Sequence, residues 1–158
     1  MVYTQAPVLT GREIEALLKE AEIARFCTLN RDGTIHAAPV WYQYAKGRII
    51  VQTPVASRKA RNLRHNRNVT ILVDLTDPSG EVSKGVLLYG RADVRPWTPD
   101  MLAEAISFCK KYMRPEAAER YARGLFKLTD WVMISVKPKR IASFDYAKDD
   151  AYREATRG

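Results

Sequence analysis

Hydrophobic positions change their spacing along this chain, and the changes mark its elements. Ile14, Leu17, Leu18 and Ala21 recur at helical spacing behind Thr10-Gly-Arg-Glu13, where Thr10 can cap a helix and Glu13 can reach back to the cap. The pattern predicts an amphipathic helix of about three turns with its apolar stripe in the core, and it leaves residues 1–9 as a loose arm. Ala24 to Leu29 reads as a strand. Asn30-Arg-Asp-Gly33 supplies the positive-φ residues of a hairpin, and Thr34 to Tyr44 is the returning strand. Pro39 inside that strand implies an edge, a bulge or a place where the ladder opens for a ligand. Ala45-Lys-Gly47 makes a second tight turn and Arg48 to Thr53 the next strand, which completes an antiparallel meander.

Beyond a short basic helix opening at Ser57, Asn68 to Leu75 is rich in β-branched residues and reads as a buried strand. Thr76 to Gly80 is a loop. Ser83 to Arg95 is a long strand with Gly85 and Gly90 as points of bulging or close approach. Thr98-Pro-Asp100 starts a helix whose apolar face carries Met101, Leu102, Ala105, Ile106, Cys109 and Met113. Glu116 to Arg123 reads as a second short helix ending at Gly124. Trp131 to Val136 is a strand that resumes at Ile141 to Tyr146 after Pro138, and residues 148–158 form a polar tail. The sum is a single domain over residues 1–158, mainly β with peripheral helices, and its expected architecture is a six-stranded antiparallel barrel. Repeated strand–helix–strand units are missing, which argues against a doubly wound parallel sheet.

Composition narrows the function classes. With 46% hydrophobic and 28% charged residues the chain is globular in character. No apolar run approaches the roughly 18 residues of a membrane span, and no basic-then-apolar leader is read at the start, so a cytoplasmic protein is expected. Cys27, Cys109, His36 and His65 have no metal-ligand spacing. The net charge of +8 favours anionic partners without choosing among them.

The densest candidate chemistry lies in Thr53 to Arg67, TPVASRKARNLRHNR. Ser57 is a good N-cap, and Arg58 and Lys59 follow in the first helical turn, where cations oppose the helix dipole. Free backbone N–H groups, two hydroxyls and a guanidinium fork describe a phosphate cradle that would answer those cations. The same run reads equally well as a solvated basic helix.

Thr53, Ser57, Arg58, Lys59, Ala60 and Leu63 after a hydrophobic strand resemble the FMN-phosphate motif of the pyridoxamine 5'-phosphate oxidase-like flavoproteins, the FMN-binding split β-barrels. The likeness extends in order of elements over residues 10 to 146. It implies a homodimer with the cofactor at the subunit interface and a small-molecule substrate. It implies flavin-ring contact at Ala38, Pro39, Val40 and Trp41, and contact of Gln52 and Thr53 with the ribityl phosphate. Where the family has Arg-Gln, this chain has Lys84-Gly85, so Gly85 offers only backbone while Lys84 can face the electron-rich edge of the ring. Phe144 stands near the family's cofactor-stacking Trp and would reach the other subunit's site. The ending DYAKDDAYREATRG lacks the family's Arg- and His-containing substrate segment, so pyridoxamine-phosphate oxidation is not expected. The expectation is an FMN-dependent oxidoreductase in which the cofactor does the chemistry, with the deazaflavin coenzyme F-420 as the alternative cofactor. Storage or sensing of flavin or haem, and binding of nucleic acid, are the remaining alternatives; the last is disfavoured because no aromatics interleave the basic run.

Overall fold

The computed structural model describes residues 6–77 and 83–156. Its centre is a seven-stranded antiparallel sheet: β1 (Ile23–Leu29), β2 (Ile35–Trp41), β3 (Gln43–Ala45), β4 (Arg48–Pro54), β5 (Asn68–Thr76), β6 (Ser83–Pro96) and β7 (Trp131–Asp145), in the spatial order β2-β1-β5-β6-β7-β4-β3. The two edge strands, β2 and β3, are consecutive in the chain and separated only by Tyr42. The sheet must therefore curl until its edges nearly meet. β2 approaches β4 there without forming a ladder, and the result is a curled half-barrel.

Tyr42 explains why there are seven strands where six were expected. Its side chain is fully buried and its hydroxyl donates to the Leu18 carbonyl (2.8 Å). Its backbone N–H donates to the Tyr112 hydroxyl (2.6 Å) and not to a strand neighbour. The strand expected over Thr34 to Tyr44 is thus divided, one half pairing with β1 and the other with β4. The β3–β4 turn uses Lys46 and Gly47, both at positive φ, which suits the twist of a two-residue hairpin.

The segments expected at Trp131–Val136 and Ile141–Tyr146 form one strand, β7. Pro138 is accommodated by a bulge: Tyr89 faces Arg140 and Gly90 faces Pro138, leaving Lys139 as the extra residue. Glycine is required at position 90, since a Cβ would lie 2.9 Å from Val136 Cγ1 and 3.0 Å from the Lys137 carbonyl oxygen.

Inside the curl, alternate residues of every long strand form the main core with Leu17 and Leu18 of α1 (Gly11–Glu20). The capping box at Thr10 and Glu13 is formed. Residues 6–9 are not loose: Ala6 and Leu9 are buried, Pro7 O accepts from Asp145 N (2.8 Å), and Leu9 N donates to Ser143 Oγ (3.0 Å). Residues 1–5, and most of the loop expected at 76–80, fall outside the described residues.

α2 (Arg58–Leu63) is the expected basic helix. After a 3-10 turn at Pro99–Met101, α3 (Leu102–Cys109) and α4 (Pro115–Leu128) form a helical hairpin with its own small core of Ala105, Phe108, Cys109, Ala118 and Ala122. α4 does not stop at Gly124. That glycine is exposed and costs only about 1 kcal/mol in a helix, while Phe126, just beyond it, packs on the hairpin core. The tail also carries a helix, α5 (Asp150–Thr156). No helix among the described residues is long and apolar enough to cross a membrane.

Candidate functional site

The open seam between β2 and β4 is where backbone and side chains are free to face a ligand. A cavity of about 210 Å³ lies on it. β2 lines it with Pro39, Val40 and Trp41, β4 with Gln52 and Pro54, and α2 with Lys59. The hairpin roofs it with Phe108 and Cys109 from α3 and Tyr121 and Leu125 from α4, and Trp131 opens β7 beside it.

The roof is fixed by contacts that sequence periodicity does not reveal. The Trp41 and Tyr112 rings stack, 4.4 Å apart and within 5° of parallel, and Tyr121 tilts against Trp41 at 6.1 Å. The Tyr112 hydroxyl accepts from Tyr42 N, and its own proton faces the carbonyls of Tyr42 and Glu22 at 2.6 and 2.9 Å. Lys111 donates to the Ala21 carbonyl (2.6 Å) and lies 3.8 Å from the Tyr42 ring centre. Burial pushes the Tyr112 phenol up to about 12 and the Cys109 thiol upward. Neither of these two groups ionises near neutral pH.

Two polar groups stand in the otherwise apolar lining. Gln52 Nε2 is buried without a hydrogen-bond partner. An orphaned buried donor of this kind costs about 1–3 kcal/mol and asks for an acceptor. Lys59 is half-buried, and burial alone pulls its pKa below the ordinary lysine value; an anion beside it would restore the charged form.

Next to Lys59 the residues expected to form a cradle lie together, with one difference. Ser57 caps α2 by accepting from Ala60 N (3.3 Å), and it also accepts from the buried Thr53 hydroxyl (3.1 Å). Thr53 therefore orients Ser57, and the Ser57 hydroxyl proton, with exposed Arg58, remains available to an anion. Arg58 also lies near Asp32, whose carboxyl is held below its usual range mainly by hydrogen bonds from Thr34, with a smaller coulombic pull from Arg58.

The fold thus gathers Pro39, Val40, Trp41, Gln52, Thr53, Ser57, Arg58 and Lys59 around one seam. The Ala38 side chain packs against the main core and is not among the cavity lining. Lys84, Gly85 and Phe144 do not line the cavity. Lys84 pairs with Asp145 and Gly85 with Phe144, and the Phe144 ring lies so close over Gly85 that a Cβ there would meet two ring carbons at 2.6 Å. The hairpin residues Phe108, Tyr121 and Leu125 escaped the sequence reading. Their helical spacing signals only an apolar face, not which element it covers.

At about 210 Å³ the cavity is smaller than an ordinary ligand cleft of about 300–1,000 Å³. It has room for part of a planar ring system, with the sugar and phosphate outside it, beside Lys59 and Ser57. A polar hollow of about 470 Å³ adjoins it and shares Gln52. Apolar walls, one unpaired amide donor and an adjacent anion cradle fit a phosphorylated flavin or deazaflavin. No cluster of His, Cys, Asp and Glu among the described residues can hold a metal.

The family model described as pyridoxamine 5'-phosphate oxidase matches residues 10–143. Among solved structures, a conserved hypothetical protein from Mycobacterium tuberculosis superposes with a TM-score of 0.77 at 23% identity, over 91% of this chain and 91% of that one. An FAD-binding protein from Mesorhizobium loti gives 0.63 at 16% identity, over 89% and 97%. An F420 reductase gives 0.59 at 22% identity, over 85% and 98%. At these identities the likeness is one of fold. Among curated proteins no sequence matches significantly.

Proposed function

The chain belongs to the pyridoxamine 5'-phosphate oxidase family, and on that premise we propose that it is an FMN-dependent oxidoreductase acting on a small molecule. The observation that carries the reading is the unpartnered Gln52 Nε2 in an apolar cavity whose next wall is Lys59 and the Ser57 cap. Pro39, Val40 and Trp41 would hold the flavin ring, Gln52 would donate to one of its polar edge atoms, and Ser57, Arg58 and Lys59 would take the phosphate. When bound, the cofactor supplies hydride or two-electron transfer. The chain's own part is to bind, orient and shield it from water with the α3–α4 hairpin.

The active form is proposed to be a homodimer. Leu29 and Ile35 face each other across β1 and β2, and Ile35 is 71% exposed and Trp41 37% exposed, an apolar surface that a second copy would cover. Lys84 and Phe144, which do not line their own chain's cavity, would then serve the partner's. Coenzyme F-420 is the second cofactor reading, supported by the solved F420 reductase of similar fold.

An absorbance spectrum of the purified protein, followed by titration with FMN and with F-420, tests the assignment. A flavin spectrum or preference for FMN is the expected result; preference for F-420 moves the protein to deazaflavin chemistry, and binding of neither removes the proposal. Arg58→Ala/Lys59→Ala should weaken FMN binding at least about tenfold, about 1.4 kcal/mol, with the fold retained. Unchanged affinity in the folded variant would dismiss the cradle.

A further inference from the structure

Beside the bulge in β7 lies a second concave site, which meets the hollow next to Gln52 only at Arg48 and Asp93. A cleft of about 560 Å³ is lined by Arg48, Arg67, Arg91, Lys137 and Lys139, with Asp93 as its one acid. These cations come from separate stretches of chain: the start of β4, the entry to β5, the middle of β6, and both sides of Pro138 in β7. The ion pair of Asp93 is with Arg95, outside the cleft (3.7 Å), and leaves the five cations in excess of one carboxylate. None of the five cations has a carboxylate partner among the described residues. Arg91 and Lys137 are directly opposite each other in the β6–β7 ladder. Like charges at such a position repel and destabilise the sheet. Arg48 is braced by the buried Ser135 hydroxyl (3.2 Å), so one guanidinium at the rim is oriented in advance. Lys139, the extra residue of the bulge, joins Lys137 on the same short stretch.

We propose that this cleft binds a small molecule carrying adjacent phosphate groups, at a site separate from the flavin phosphate cradle. Several converging cations call for several negative charges within one ligand, and a phosphate chain supplies them to both guanidinium forks and ammonium groups. Nucleic acid is the poorer occupant. Aromatic side chains, on which bases would stack, are missing from the lining, and the nearby Tyr89 ring is already covered by the Arg140 guanidinium at 4.1 Å.

The test is calorimetric titration of the full-length protein at low salt with sodium tripolyphosphate, with FMN and with a twenty-nucleotide poly-dT strand. Tripolyphosphate should bind wild type, and Arg91→Ala/Lys137→Ala should weaken it by about tenfold or more while leaving FMN affinity unchanged. Arg58→Ala/Lys59→Ala should show the reverse pattern. Without ligand, Arg91→Ala/Lys137→Ala should melt no lower than wild type, because a repulsive pair has been removed. Should that variant fail to fold, Arg67→Ala/Lys139→Ala carries the same comparison. No tripolyphosphate binding, equal binding in the folded variant, or loss only in the Arg58/Lys59 variant overturns the site. A parallel loss of FMN affinity in Arg91→Ala/Lys137→Ala would make the cleft part of the cofactor site and overturn its separateness. Tighter binding of poly-dT through the same residues would replace the small ligand with nucleic acid.

Discussion

Replacing Gln52 by methionine should change stability and cofactor affinity in opposite directions. Gln52 Nε2 is buried and unpaired, and a buried donor left without an acceptor costs about 1–3 kcal/mol. Methionine keeps a similar length and removes the donor. Part of the gain is offset by imperfect packing, which for volume-conserving exchanges costs less than about 1.5 kcal/mol. The cofactor-free variant should therefore be more stable by about 1 kcal/mol, a rise of about 2–4 °C in Tm for a chain of this size. With FMN the sign reverses. In wild type the amide has already lost its water on folding, so a bond to the flavin is formed with little solvent exchange. Losing that bond should cost about 1–3 kcal/mol, or roughly 5- to 150-fold in Kd. Thermal melts with and without FMN, with a calorimetric titration, measure both quantities. A variant that melts lower than wild type without cofactor, or that binds FMN equally well, would refute the role given to Gln52.

Gly85→Ala should destabilise by about 1–3 kcal/mol, because the new Cβ would sit 2.6 Å from Phe144 ring carbons; Phe144→Ala in the same chain should recover part of the loss, and a neutral Gly85→Ala melt would show that the ring is not seated there. Glu13 is held down to about 2, from an ordinary 4.5, by hydrogen bonds from Lys148 and then Thr10. A depressed carboxyl contributes stability that is present above its unfolded value and lost as pH falls through its folded value. Melts between pH 4.5 and 2 should therefore fall less steeply for Glu13→Gln than for wild type, and parallel curves would show that the link from α1 to Lys148 contributes nothing.

The local part of the fold was legible because its signals are local. Thr10 with Glu13, Ser57 before Arg58, and the Lys46-Gly47 turn all occur as read. The antiparallel character of the sheet also followed, but its order did not: β2 and β3, consecutive in the chain, lie at opposite edges, and β1–β5 and β4–β7 pair across long stretches of sequence. What failed depended on partners distant in sequence. Tyr42 leaves the ladder because Tyr112 and Leu18 take its polar groups. Residues 6–9 are held by the end of β7. α4 runs through Gly124 because Phe126 beyond it has a core to enter. The site divided along the same line. The proposed cradle residues form one contiguous segment, whereas the roof belongs to a helical hairpin that meets β2 through the Trp41–Tyr112 stack. Of the strand whose backbone the resemblance sets against the ring, Pro39, Val40 and Trp41 line the cavity, while the Ala38 side chain packs on the core.

The strongest reason to treat the seam as a binding site is that folding alone does not account for its residues. Two cations begin a helix whose dipole opposes them. A lysine is half-buried at the cost of its proton affinity. An amide is buried with nothing to donate to. A tryptophan stays 37% exposed at a sheet edge. Each departure alone is ordinary in a native protein, and an apolar or neutral residue would relieve it. Their coincidence around about 210 Å³ of space is not ordinary, because independent defects would scatter over the surface. One ligand with a planar apolar ring, a polar ring edge and a phosphate removes all of them together, which is the pattern expected when local rules are broken for function. The β6–β7 cleft meets the same criterion on one count, the Arg91–Lys137 pair, and a polyanion is what would relieve it.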